Sequence, residues 1–351
     1  MPDQSVVPGT PSEMRSAHII AARAVIAGRV VETPMLSSRT AARVAGTRSG
    51  RPLGAGSATD GEARLFLKAE HLQVTGSFKP RGAVNRVANL RASERRRGLI
   101  CISAGNHAQA VAYSAATQGI PVTVVMPAGA SRAKAAATAA YGAEVILHGA
   151  DVGETFARME QLRAQRDLVF VPPFDDPHVI CGQGTVGLEI LEQLPEVDVV
   201  VVGVGGGGLI CGIAVALKGQ RPGARVYGVE PEGSRALSLA LERGRVVPVR
   251  PESIADGLGA PFAGEWTLDL AGRHVDAMLT VSDPEIASAM RFGLERMKQL
   301  LEPAGAAALA AVLCGRVPYA QGDTVCVVVS GGNVDLDRLA DLLALSPDAA
   351  A

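Results

Sequence analysis

From Leu65 onward, short runs of β-branched and apolar residues alternate with amphipathic stretches, and this alternation is the strongest constraint on the fold. The runs begin at Leu65 (LFLK), Leu99 (LICIS), Val122 (VTVVM), Glu144 (EVILH), Leu168 (LVFV), Asp198 (DVVVVGV), Arg225 (RVYGVE), Ala277 (AMLTV) and Thr324 (TVCVVV). Each reads as a buried strand. Residues 106–118, 132–140 and 283–300 carry helical periodicity between them. Strands alternating with helices predict an α/β fold of mainly parallel sheets covered on both faces. An earlier helical pattern, apolar at Met14, Ile19, Ala22, Val25 and Ile26, stops at Gly28.

The 351 residues suggest about two domains. A hydrophobic fraction of 48 % can fill large cores, which argues against general disorder. The formal net charge of -1 gives no reason to expect nucleic acid or an anionic membrane surface as partner. The most apolar late stretch, 198–217, is interrupted by glycines, so no membrane span is expected. Residues 1–11 read as a disordered tail, and 48–61 (RSGRPLGAGSATDG) as a Gly/Ser/Pro-rich loop. The N-terminus lacks the pattern of a signal peptide. Five scattered cysteines without CxxC or Cys/His spacing predict reduced thiols and a cytoplasmic setting, with no metal site.

Five segments carry candidate chemistry. Only five of the 34 basic residues are lysines (Lys68, Lys79, Lys134, Lys218 and Lys298), which narrows the search for a catalytic amine. Lys79 stands out within 75–82 (TGSFKPRG), where small neighbours and Phe78 suit a Schiff-base amine, although a solvated turn lysine would look similar. Ser103-Ala104-Gly105-Asn106-His107 opens a helix after a strand and offers unpaired N–H groups to a carboxylate or phosphate, or serves as a plain cap. Gly205-Gly206-Gly207-Gly208-Leu209 exposes backbone donors between strand and helix. That segment also matches GxGxxG, with Glu230 ending the next strand, so a dinucleotide fold is a rival. Glu230 lies 27 residues beyond Gly203, rather than the usual spacing of about 20. Ser330-Gly331-Gly332-Asn333 ends the last strand, and Glu302-Pro303-Ala304-Gly305 reads as a helix start. His71, His107 and His178 lie near these segments and read as structural.

Taken together, the ordered motifs KAEHLQVTGSFKPRGA, SAGNHAQAVA, YGAEVILHG, VICGQGTVGLEIL, VGGGGLICG, VYGVEPEGS, IADGL, EPAGAAALAAVL and VVVSGGNVD resemble one family. It is the fold-type II (tryptophan synthase β-like) pyridoxal-phosphate enzymes, in the branch of threonine/serine dehydratases and serine racemases. The likeness runs from Ala24 to Leu343. It implies two three-layer α/β/α domains. Residues 12–97 and 168–351 would form the large cofactor-binding domain, and 98–167 a small mobile domain, with no C-terminal regulatory domain.

The resemblance also implies site roles. Lys79 would hold pyridoxal 5′-phosphate as a Schiff base and take the substrate α-proton, with Phe78 lining the ring. Asn106 would bond the 3′-oxygen, Gly205 to Gly208 with Leu209 the phosphate, and Ser330 the pyridine nitrogen. Ser103, Gly105, Asn106 and His107 would hold the substrate carboxylate, and Glu302 would lie near the cofactor.

The implied activity is a threonine/serine ammonia-lyase giving 2-oxobutanoate or pyruvate, in a homodimer or homotetramer acting on a small β-hydroxy amino acid. A lyase for another such acid, for example 3-hydroxyaspartate, and a serine racemase are the alternatives. Ala104 stands where serine racemases of the mammalian type carry serine, which weighs against racemisation. Glu230 is present at the position of an acidic cation site in some relatives, but its partner position aligns with Ala236, so no metal is expected.

Overall fold

The computed structural model describes residues 8–53 and 64–347. Residues 1–7 of the expected tail, and 54–61 of the expected loop, lie outside the described residues. Gly9 and Thr10 donate backbone N–H groups to the Glu13 carboxylate as the chain enters a short 3-10 turn, Pro11–Glu13.

Ten strands make two sheets. They are β1 (Met35–Ser37), β2 (Leu65–Lys68), β3 (Leu99–Ile102), β4 (Val122–Met126), β5 (Glu144–Leu147), β6 (Val169–Phe170), β7 (Val199–Gly203), β8 (Arg225–Pro231), β9 (Ala277–Val281) and β10 (Val325–Val328). The larger sheet has the order β1-β2-β10-β7-β8-β9, and the smaller β5-β4-β3-β6. All pairings are parallel except β1 with β2. The fold is therefore α/β with mainly parallel sheets, as the alternation predicts. The smaller sheet takes its last strand from beyond residue 167, the expected limit of the small domain.

Parallel strands are buried on both faces, which is why these runs are apolar throughout. Val199 and Val201 of β7, with Val325 and Val327 of β10, point into a core shared with the Pro303–Leu313 helix. Their neighbours Val200, Val202, Cys326 and Val328 point oppositely, toward the helices Pro177–Gln193 and Gly208–Gln220. In the smaller sheet, Leu99, Cys101 and Val124 pack on the Asn106–Ala116 helix, while Ile100 and Val125 meet Met159 and Leu162 of the Val152–Arg166 helix. Each sheet is the middle layer of three.

Two expectations need correction. The pattern at 283–300 is not one helix: it ends at Phe292, passes through a π-helical turn, Gly293–Met297, and reverses at Lys298 with φ 59°. Gly293 lies against Leu301, 3.0 Å from where a Cβ would stand, so the chain folds back on itself instead of continuing. The strand β1 has no counterpart in the sequence reading, because three residues on an antiparallel edge are too few to show a period.

The Pro177–Gln193 helix is held between two others by backbone contact. A Cβ on Gly182 would stand 2.3 Å from the Arg81 carbonyl oxygen, and one on Gly184 would stand 2.8 Å from that of Gly212. The Lys79–Ala88 and Gly208–Gln220 helices thus sit on either side of it. Beneath them lies a buried ion network. Arg81 makes paired contacts to Glu70 (Nε–Oε2 2.7 Å) and Glu189 (Nη1–Oε1 2.6 Å), and Lys68 reaches Glu189 at 2.6 Å. The five free cysteines include four that are buried. No described helix is long and apolar enough to cross a membrane.

Candidate active site

In open parallel sheets, functional loops gather beyond the carboxyl ends of the strands. Here the segments following β3 and β10 meet the start of the Lys79–Ala88 helix. The backbone fastens them. Phe78 N–H donates to Ser330 O (3.1 Å), Gly332 N–H to Gly76 O (3.0 Å), and Ser77 bridges Gly331. Glu302 N–H donates to Gly331 O at 3.2 Å. A Cβ on Gly305 would stand 2.1 Å from that same oxygen, so glycine is required for this approach.

Lys79 is the first residue of its helix, and its Nζ donates to the carbonyl of Pro173 at 2.8 Å. The amine lies 5.1 Å from the Phe78 ring centre. Part of the side chain remains exposed, but protein atoms crowd the amine. This loss of hydration lowers its pKa to about 8, against the opposing pull of Glu302. The amine therefore gives up its proton more readily than an ordinary lysine.

Asn106 opens the Asn106–Ala116 helix. Its Nδ2 donates to Glu302 Oε1 (2.6 Å), and its Oδ1 accepts from Asn333 Nδ2 (2.8 Å). A primary amide has two N–H groups, so one remains for a ligand. Glu302 is buried, and burial raises its pKa to about 7, opposed first by Lys134 and then by the Asn106 hydrogen bond. The raised value has a sign. The unfolded chain loses this proton near the ordinary 4.5 and the folded chain near 7, so stability present below pH 4.5 is lost as pH rises through 7. In cofactor-free protein, Glu302→Gln is expected to remove that decline, of about 3 kcal/mol at 1.36 kcal/mol per pH unit. Urea midpoints taken across this range check it.

Ser103 Oγ accepts from Gly105 N–H at 3.1 Å, and Ala104 is exposed. The His107 ring is buried, with Nε2 2.9 Å from Val171 O, and burial lowers its pKa to about 3. Its imidazole is thus neutral and turned into the protein, which leaves only its backbone at the helix start. Ala104, Ser131, Lys134, Asp256, Glu302 and Asn333 line a cavity of about 440 Å³. Two contacts cross it: Ser131 Oγ to Asp335 Oδ2 (3.0 Å) and Lys134 Nζ to Asp256 Oδ2 (3.4 Å).

Gly205 to Gly208 connect β7 to the Gly208–Gln220 helix. Gly207 has φ 93°, a backbone state that favours glycine. Phe174 covers Gly206, where a Cβ would stand 2.3 Å from its ring. Leu209 is buried behind the loop. Glu230, the acid that a dinucleotide site would need, accepts from Leu237 N–H (2.8 Å) and Ser238 N–H (3.1 Å) inside the protein. It caps the Ala236–Arg243 helix and cannot meet a ribose. Among the described residues, no group of three or more His, Cys, Asp or Glu could hold a metal ion.

The donor set fits pyridoxal phosphate. An amine of lowered basicity suits its aldehyde, and N–H groups at a helix start suit its phosphate. The spare Asn106 N–H suits its ring hydroxyl. The Ser330 hydroxyl, whose bond to Ala304 O is a long 3.4 Å, can turn to the ring nitrogen. Residues 51–331 match the model of the family described as "Pyridoxal-phosphate dependent enzyme". The chain belongs to this family.

Relatives within it include the L-threonine ammonia-lyase of Thermotoga maritima, 46 % identical over 80 % of this chain and 69 % of that protein. The catabolic L-threonine dehydratase TdcB of Escherichia coli is 44 % identical over 80 % and 86 %. Among solved structures, the threonine deaminase of T.th. superposes with a TM-score of 0.79 at 39 % identity, covering 91 % of this chain and 98 % of that one. Maize serine racemase gives 0.82 at 34 %, covering 93 % and 95 %.

The sequence reading did not single out Phe174, Gln183 or Lys134, nor the contacts of Asn333. Gln183 lies within the VICGQGTVGLEIL motif, and its glycine neighbours were the available signal.

Proposed function

We propose that this chain is a pyridoxal-phosphate lyase that converts L-threonine to 2-oxobutanoate and L-serine to pyruvate, with release of ammonia. The observation that carries this reading is an amine of lowered basicity, Lys79, at the start of its helix, while Ala104 offers only a methyl group to the cavity it lines. The names of the relatives above support the same class.

When bound, the cofactor supplies an electron sink that acidifies the α-C–H of an amino acid joined to it. Lys79, neutral above about pH 8, takes that proton. Ser103 Oγ and the backbone N–H groups of Gly105, Asn106 and His107 hold the substrate carboxylate at the helix start. Asn106 and Ser330 orient the ring. Gly205, Gly206, Gly207 and Gly208 hold the phosphate through their amides, with Leu209 and Phe78 as apolar walls. The β-hydroxyl leaves as water, and a second water releases ammonia and the 2-oxo acid. The segment 98–167 closes over substrate, and Ser131–Asp335 and Lys134–Asp256 form part of the closed edge. We take the enzyme to act in the cytoplasm as a homodimer or homotetramer.

Reversal of configuration requires a second proton donor opposite Lys79, and Ala104 supplies none. Purified protein with pyridoxal phosphate is expected to form 2-oxobutanoate from L-threonine, and to make pyruvate from L-serine faster than it makes D-serine. Faster racemisation overturns the lyase reading. Absence of 2-oxobutanoate, with product from 3-hydroxyaspartate, moves the assignment to that substrate.

A further inference from the structure

Gln183 is buried in the middle of the Pro177–Gln193 helix, with 1 % of its surface exposed. Neither its Nε2 nor its Oε1 has a hydrogen-bond partner among the described residues. Leaving both ends of a primary amide unsatisfied in a protein interior is costly, and native proteins rarely tolerate it without a reason. The location supplies one. Gln183 Cγ stands 3.1 Å from where a Cβ on Gly82 would be, and Oε1 stands 2.8 Å from where one on Gly208 would be. Gly82 is one turn beyond Lys79, and Gly208 begins the helix whose N–H groups end the glycine run. The amide therefore sits between the lysine helix and the start of the phosphate helix, held there by the glycine contacts at Gly182 and Gly184.

We infer that Gln183 is a side-chain ligand of the cofactor phosphate: a half-turn of its amide sets Nε2 where Oε1 now faces Gly208, and Nε2–H donates to a phosphate oxygen alongside the backbone amides of Gly205 to Gly208. This rests on the cofactor reading above and deepens it. Two observations meet here: a helix start free to bind an anion, and a buried polar side chain without a partner directed at it. A glutamine suits the position better than lysine or arginine would. Its neutral amide bears no uncompensated charge when the cofactor is absent, yet it gains a charge-assisted bond when the phosphate arrives.

The test compares two ligands that differ only in the phosphate. Full-length protein stripped of cofactor is titrated with pyridoxal 5′-phosphate and with pyridoxal, following the visible absorption of each complex. Attachment to Lys79 is common to both, so it cancels in the ratio of affinities. Gln183→Met is expected to weaken pyridoxal phosphate by about ten- to a hundredfold and to leave pyridoxal within about twofold. Gln183→Glu keeps the shape and sets a carboxylate against the phosphate, so its loss should be larger still and again confined to the phosphorylated ligand. Unfolding midpoints of the cofactor-free variants verify that they are folded. Equal losses for both ligands would mean that Gln183 only packs, and would overturn the inference. Unchanged affinity in both variants overturns it as well. If the parent protein itself fails to bind pyridoxal phosphate, the cofactor reading falls first, and the inference with it.

Discussion

A Lys79→Ala protein is expected to form 2-oxobutanoate from L-threonine at least about a thousandfold more slowly than its parent, since positioned proton transfer alone contributes about 10²–10⁴ and covalent anchoring adds to it. The other lysines are poor substitutes. Lys68, Lys134 and Lys218 each face a carboxylate, at 2.6, 3.4 and 2.9 Å, and Lys298 lies on a reversing turn. Lys79 instead donates to a neutral carbonyl. Borohydride treatment of the parent, followed by mass spectrometry, should place the reduced cofactor on the peptide containing Lys79. The variant should yield no such adduct. An adduct on Lys134, or a rate within tenfold of the parent, would remove Lys79 from the mechanism.

Arg81→Met should cost about 3–5 kcal/mol of stability, the range for breaking a buried ion pair by removing one partner. Arg81 has no exposed surface and holds two carboxylates, Glu70 and Glu189, while Lys68 satisfies only the second of them directly. Without the guanidinium, Glu70 keeps the Thr33 hydroxyl but loses its cation. Methionine approximates the volume, so the loss reports the charge more than a cavity. A shift in the urea midpoint equivalent to less than about 1 kcal/mol would mean that the network relaxes around the gap, as surface pairs do. Because Arg81 is two residues from Lys79 on the same helix, the network also fixes the base of the site.

Much of the larger architecture was legible from residue type. The valine runs of β7 and β10 are buried on both faces, and burial of that kind leaves a local record in composition. The site's glycines were legible for a related reason, since tight approach and positive φ exclude side chains at particular positions, as at Gly207 and Gly305. What the chain did not disclose depends on distant partners. Glu302 reads as a helix-start acid in isolation, the resemblance implies only that it lies near the cofactor, and its bond to Asn106, 196 residues away, is what periodicity does not record. Arg81 and Glu189 look like the solvated charges of two helices. The helical pattern at 283–300 failed because Gly293 closes on Leu301, a contact that periodicity does not record. Likewise, Glu230 admits a rival dinucleotide reading from its sequence position, and only its hydrogen bonds to Leu237 and Ser238 turn it inward as a helix cap.

The order of strands in the larger sheet has a consequence for biosynthesis. β10 is the last strand to be made, yet it lies between β2 and β7 and pairs with both. A ribosome-bound chain that ends before Val325 has a sheet without its middle, and β2 has no parallel neighbour on which to lie. Ser330 and the turn that fastens Phe78 arrive later still. The segments around Phe78 and Ser330 can therefore come together only after most of the described residues have been made. Pyridoxal phosphate is therefore expected to find its site only once the strand between β2 and β7 has been made.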